Sequence, residues 1–175
     1  MIKIGTLAET DFLKIHELAG KIDGIVQHPE HIYKIMADHF GDTFFIAKRE
    51  NENNDVEVDV DVLGFMMGFV SRKMTGELFV WQIAVSKNAQ GESIGSKLLQ
   101  HTIDYAKKAD DCNIIMATVE TDNTPSQKLF EKFGFKIDSR KYRKGNQEMV
   151  VVNGKEAIKN YYGSGTDQVF YVKKV

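Results

Sequence analysis

The run Gln90, Gly91, Glu92, Ser93, Ile94, Gly95 and Ser96 has residue types suited to holding an anion. It follows an apolar, β-branched and aromatic stretch at 78–85 and leads into a segment with Ile94, Leu98, Leu99, Ile103 and Ala106 at helical spacing. Strand, tight turn and helix are therefore expected in succession. Small residues let the backbone turn sharply, and the first N–H groups of a helix have no partner within it. A phosphate seated there gains those donors and the positive end of the helix dipole. A plain connecting turn has a similar composition, so a ligand loop and a surface loop both stand on these residues alone.

The other elements must hold that loop in place. Ile2, Ile4 and Leu7 predict a first strand, and Thr10 predicts the cap of a helix carrying Phe12, Ile15 and Ala19 inward. The stretch 20–30 is polar and irregular, either the wall of a pocket or a surface loop. Pro29 predicts the start of a second helix that buries Ile32, Ile35, Met36 and Phe40 and stops at Gly41. Residues 43–48 read as a strand and 50–55 as a turn too polar to pack; from Val56 to Val62, valines alternate with Glu57, Asp59 and Asp61, as on a half-buried strand. Residues 63–70 are apolar throughout, like a central strand, with Met66 and Met67 as core and Gly64 and Gly68 marking a bulge or a close approach. A strand at 113–120 is expected parallel to 78–85, because a helix separates them. Thr124, Pro125 and Gln127 predict the start of another helix, with Leu129, Phe130 and Phe133 buried and Gly134 closing it. Strands at 149–152 and 168–172 complete the chain, the former followed by a turn at Asn153-Gly154. Neither a repeat nor a linker divides it, so residues 1–175 are expected to form a single domain.

With 23 basic and 25 acidic residues well mixed and a net charge of −2, no nucleic-acid footprint shows. The one cysteine, Cys112, cannot form an internal disulfide, and no Cys or His spacing suits a metal. No apolar stretch is long enough to span a bilayer, and nothing at the N-terminus reads as a secretory signal; a reducing cytoplasm is the expected setting.

Two features in order resemble a known family. The loop from Gln90 to Gly95 is similar to the R/Q-x-x-G-x-G/A acetyl-CoA signature of the GNAT N-acetyltransferases, and it lies between a strand and a helix as that family requires. Downstream, Val119-Glu120-Thr121-Asp122-Asn123 and the helix ending in Gly134-Phe135 resemble the family's second hallmark. The resemblance implies an α/β fold of GNAT (acyl-CoA N-acyltransferase) type, with a mixed central sheet of about six to seven strands and about four helices. It also implies acetyl-CoA as co-substrate and direct acetyl transfer to a primary amine of a small molecule. Within the family, the run from Phe79 to Val85 and the upstream His39-Phe40-Gly41-Asp42-Thr43 look most like the L-2,4-diaminobutyrate acetyltransferases of ectoine synthesis. Another amine, such as a polyamine, lysine or a peptide N-terminus, and a non-catalytic acyl-CoA-binding module are the alternatives.

The resemblance further implies that the strands at 78–85 and 113–120 part at their C-terminal ends. Pantetheine would then pair with Ile83, Ala84 and Val85 as an added strand, and an N–H near Ile83 would polarise the thioester carbonyl. The diphosphate would sit on the N–H groups of Gln90, Gly91, Glu92, Ser93, Ile94, Gly95 and Ser96, with Asn123, Ser126 and Phe130 along the coenzyme. Three residues depart from the pattern. Ser93 replaces a glycine, Glu92 brings an acid near phosphates, and Phe130 stands where many relatives have a tyrosine that protonates the thiolate. Tyr161, Tyr162 or a water takes that role, or the thiolate leaves unassisted. An alkylammonium must also lose a proton, for which Glu77 and Glu120 lead and His28, His31 and His39 follow. Trp81 is either core or the wall of an amine pocket offering cation-π attraction, and Gln82 is expected to point the opposite way, subject to any bulge. The resemblance also implies a homodimer, with 168–172 able to serve as its contact.

Overall fold

The computed structural model describes residues 1–49 and 61–175. Most of the alternating valine stretch at 56–62 lies outside the described residues. Strand β1 (Ile2–Thr6) leads through a short 3-10 turn into helix α1 (Phe12–Gly20), and a loop then reaches α2 (Glu30–Phe40). Asp11, not Thr10, stands at the N-cap position of α1, but its carboxylate makes no bond into that helix; it accepts from the backbone N–H of Ala8 and from Lys48 at 2.6 Å, so a buried acid fixes this corner. In α2 the buried positions are Tyr33 and Met36, whereas Ile35 is 46% exposed. The helix is rotated from the expected face because Tyr33 can bury its ring and still satisfy its hydroxyl.

Strands β2 (Phe44–Arg49), β3 (Val62–Val70) and β4 (Glu77–Val85) form an antiparallel meander continuing from β1. Helix α3 (Ile94–Lys108) crosses back to β5 (Ile114–Glu120), which runs parallel to β4 as its apolar pattern and the intervening helix require. After α4 (Thr124–Lys132) come β6 (Lys136–Ile137), the short α5 (Ser139–Tyr142), the hairpin β7 (Met149–Val152) and β8 (Lys155–Ile158), and β9 (Gln168–Lys174). The described strands form one sheet in the order β1-β2-β3-β4-β5-β9-β8-β7, with β6 also paired to β9. The sheet is larger than expected because the region after Gly134 contributes β6 and β8, and α5 adds a helix there. β9 lies inside the sheet, between β5 and the pair β6 and β8.

One apolar layer, with Leu98, Leu99, Ile103 and Ala106, joins α3 and α4 to one face of the sheet. A second, with Ile15, Leu18, Tyr33 and Met36, joins α1 and α2 to the other. Met66 and Met67 point one into each layer and are fully buried, which makes β3 the central strand its composition predicted. Among the described residues no helix is long and apolar enough to cross a membrane.

Candidate active site

β4 and β5 pair only from Glu77↔Ile114 to Val80↔Ala117. Beyond that point β4 stays with β3 as far as Val85, while β5 stays with β9 as far as Glu120. The register of β3 on β4 shows the cause. Met67 faces Gln82 but Gly68 faces Val80, so Trp81 is one residue too many and β4 bulges away. Gly68 permits this, since a Cβ there would lie 2.6 Å from the carbonyl oxygen of Phe79.

The bulge also decides where side chains point. Trp81 packs in the α1/α2 layer, its ring 6.4 Å from that of Phe69. Gln82, expected on the opposite face, is on the same one: its Nε2 donates to the Val26 carbonyl at 2.8 Å and its Oε1 accepts from the Tyr33 hydroxyl at 3.5 Å. Without the extra residue, neighbours on a strand would have opposed each other. Ile83 and Val85 pack against the α3 layer and Ala84 beneath α1 and α2.

The parted strands enclose a cavity of about 360 Å³. Val80, Trp81, Gln82 and Ile83 form one wall, and Ala117, Thr118, Val119 and Glu120 the other. Asn123, Ser126 and Phe130 of α4 close one end; Ile25, Val26 and His28 of the α1–α2 loop lie over another, with Tyr162. That loop is thus a pocket wall. The cavity unites Trp81, Gln82, Ile83, Glu120, Asn123, Ser126 and Phe130 of the expected site; Ala84, Val85 and the 90–96 turn lie outside its lining, as does Glu77. Four residues before Trp81 on an extended strand is roughly 13 Å, and the Glu77 carboxylate accepts from Tyr142 at 2.9 Å and from Lys141 at 3.2 Å. Glu77 is therefore a buried structural acid at the far end of β4, with no place at the cavity.

The turn before α3 lies beyond the end of β4. Gly91 has φ +88° with open space where a Cβ would stand. Ser93 has φ 60° and ψ 22°, the left-handed conformation that favours the glycine it replaces. The Lys97 N–H makes the first bond back into α3, to the Ser93 carbonyl, so the N–H groups of Ile94, Gly95 and Ser96 have no intrahelical partner. Glu92 is drawn aside by Arg49, whose Nη2 donates to its carboxylate at 2.8 Å. Lys132, which the sequence did not single out, donates to Ser96 Oγ at 3.3 Å and brings a cation to the turn. Only the folded packing of α4 beside α3 reveals it.

Asn123, rather than Thr124, caps α4: its Oδ1 accepts from the Ser126 N–H at 3.1 Å. That bond fixes the amide orientation and leaves the NH₂ end for a ligand. Phe130 is buried between Phe135 and Tyr171 and has no proton to give. Of the two alternative tyrosines, Tyr161 packs on Phe170, whereas the Tyr162 hydroxyl shares a 3.0 Å hydrogen bond with Thr118 Oγ1 on the cavity wall. Tyr162 is still 58% exposed, and partial desolvation pushes its pKa above the usual tyrosine value. The imidazole of His28 lies 4.8 Å from the Trp81 ring, and burial lowers its pKa. Glu120, exposed at the rim, carries the negative charge of the lining. Among the described residues no group of three His, Cys, Asp or Glu could hold a metal.

The arrangement fits a long, amide-bearing, diphosphate-containing ligand: free donors for the diphosphate, an unpaired strand flank for the amides, and a chamber for a reacting end. Comparison with known proteins agrees. Over 131 residues the chain is 29% identical to the L-2,4-diaminobutyric acid acetyltransferase of Virgibacillus pantothenticus, covering 75% of this chain and 76% of that protein. It is 34% identical over 134 residues to the enzyme of that name from Halalkalibacterium halodurans, covering 75% of this chain and 64% of the relative. Its fold is similar to that of diaminobutyrate acetyltransferase EctA from Paenibacillus lautus in complex with L-2,4-diaminobutyric acid and coenzyme A, with a TM-score of 0.67, 20% identity, and 98% of this chain and 93% of the other covered. It is also similar to the ribosomal-protein-S18-alanine N-acetyltransferase from Escherichia coli, with a TM-score of 0.71, 19% identity, and 100% and 94% covered. Residues 11–135 match the acetyltransferase (GNAT) family, and the chain belongs to that family of acetyl-CoA-dependent N-acetyltransferases.

Proposed function

We propose that this chain transfers the acetyl group of acetyl-CoA to a primary amine of a small diamino acid, with L-2,4-diaminobutyrate the first acceptor to test. The observation that carries the reading is the parting of β4 and β5 beyond Val80 and Ala117. It supplies the unpaired flank an amide-bearing arm needs, and the curated relatives supply the acceptor.

In this reading the diphosphate rests on the free N–H groups of Ile94, Gly95 and Ser96 at the start of α3, with Lys132 beside it, while the N–H groups of Gln90 and Glu92 are held by the Lys87 and Ala89 carbonyls. The pantetheine amides follow the backbone of Ile83, Ala84 and Val85, held from α4 by the Asn123 NH₂ and by Ser126, with Phe130 as an apolar floor. An N–H near Ile83 stabilises the charge that develops on the thioester oxygen. Trp81 walls the amine chamber with Gln82 holding the loop above it, and Glu120 attracts the cationic acceptor. Tyr162 is the acid for the departing thiolate. Its raised pKa keeps it protonated across neutral pH, as an acid must be.

The charge at the rim favours a second reading, in which the acceptor is a diamine without a carboxylate. A thiol-release assay decides between them. With acetyl-CoA and L-2,4-diaminobutyrate, turnover well above that with 1,3-diaminopropane supports the first reading. The reverse order supports the second, and no turnover with any amine leaves a coenzyme-binding module.

A further inference from the structure

Acetyl transfer begins with an acceptor that is an ammonium ion at neutral pH, and neither acid expected as its base is well placed. Glu77 is bonded to Tyr142 and Lys141 away from the cavity, and Glu120 sits in water at the rim, where its charge attracts the cation. We propose that His28 is the base that takes the proton from the acceptor ammonium, an inference that rests on the acetyltransferase reading above.

His28 lines the cavity, and its Nε2 is buried with no hydrogen-bond partner among the described residues. A buried nitrogen without a partner is costly unless a ligand satisfies it. Its ring is held against Trp81 at 4.8 Å, the wall best suited to an ammonium, and its backbone N–H donates to the Tyr33 hydroxyl at 3.2 Å. Tyr33 also donates to Gln82, whose Nε2 bonds Val26, so the loop carrying His28 is tied to the bulged strand. The ionisable groups around it are Tyr33 from α2, with Glu120 of β5 and Tyr162 across the cavity. Burial keeps the imidazole neutral at pH 7, the form that accepts a proton.

The protons balance. The ammonium gives one to His28 Nε2, and the neutral amine attacks the thioester carbonyl carbon, forming the C–N bond. As the C–S bond breaks, the thiolate takes a proton from Tyr162, which recovers one from the nitrogen. The products are the amide and the free thiol, and His28 returns its proton to solvent.

The test uses His28→Gln and His28→Ala in the full chain. NMR titration of the wild type should show a His28 imidazole pKa below about 6.5. The wild-type kcat/KM for the amine should fall as pH drops through that value. In His28→Gln, kcat/KM should drop about 10²-fold and lose that acidic limb, while calorimetry shows the same coenzyme A affinity. Imidazole should restore part of the activity of His28→Ala. An active wild type whose His28→Gln variant keeps its rate and its acidic limb overturns the proposal alone. A wild type that acetylates no amine overturns the parent reading and this one with it.

Discussion

At Ser93 a serine holds φ 60°, where a Cβ crowds the backbone at a cost of about 1 kcal/mol. Its neighbour Glu92 is neutralised by Arg49, so an acid in the turn is compatible with a bound diphosphate. Ser93→Gly should therefore raise the melting temperature by up to about 4 °C with coenzyme A affinity unchanged; a lower melting temperature by calorimetry would contradict the strain. Tyr162→Phe should lower kcat about tenfold or more, and Tyr161→Phe should not, because Tyr161 packs on Phe170. The wild-type rate should fall as pH rises through the elevated Tyr162 pKa, since the acid is then lost, and Tyr162→Phe should lack that fall; equal rates for the two variants would return the proton to water. The Glu92 and Phe130 departures were visible in the sequence. Their consequences were not, because the Arg49 that neutralises Glu92 and the Thr118 that orients Tyr162 are distant along the chain.

The bulge in β4 converts an ordinary parallel pair into a binding cleft. It turns Trp81 and Gln82 to one face, and it depends on the missing side chain at Gly68. Gly68→Ala should destabilise the fold by about 1–3 kcal/mol in urea unfolding and weaken coenzyme binding, whereas Gly5→Ala, with open space at its Cβ, should do neither. Equal midpoints would remove Gly68 from the account. Strands 63–70, 78–85 and 113–120 and helix α3 were readable because their apolar periods are long and unbroken. Gly64 and Gly68 hinted at a close approach, but which residue of β4 would be surplus depends on register, and no local pattern encodes it. Helix caps misled for a related reason: Thr10 and Thr124 have the right chemistry, yet Asp11 and Asn123 stand at the cap positions, and of these only Asn123 bonds into its helix. β6, β8 and α5 are too short to carry a period.

Across the molecule, the C-terminal strands brace the cleft from behind. Lys155 of β8 donates to Gln127 at 2.7 Å, to Tyr171 at 3.1 Å and to Glu131, joining the hairpin, α4 and β9. Lys155 lies above the usual lysine range, chiefly through its bond to Glu131, and Glu131 lies below the usual carboxylate range through the same bond. The lowered acid stabilises the fold above its unfolded pKa and loses that effect as pH falls through its folded one; the raised base loses its own as pH rises through its folded value. Lys155→Met should thus lower the melting temperature at pH 7, slightly given the solvent exposure of the pair, with the gap closing in acid as Glu131 protonates. A gap that persists below the folded-state pKa of Glu131, located by NMR titration, would assign it to packing. All these features converge on one statement, that the space between β4 and β5 receives the coenzyme. A crystal structure grown with acetyl-CoA tests it most directly. Density for the diphosphate is expected on the N–H groups at the start of α3 and for the pantetheine along Ile83 and Val85; coenzyme bound elsewhere, with β4 and β5 paired to their ends, overturns this placement.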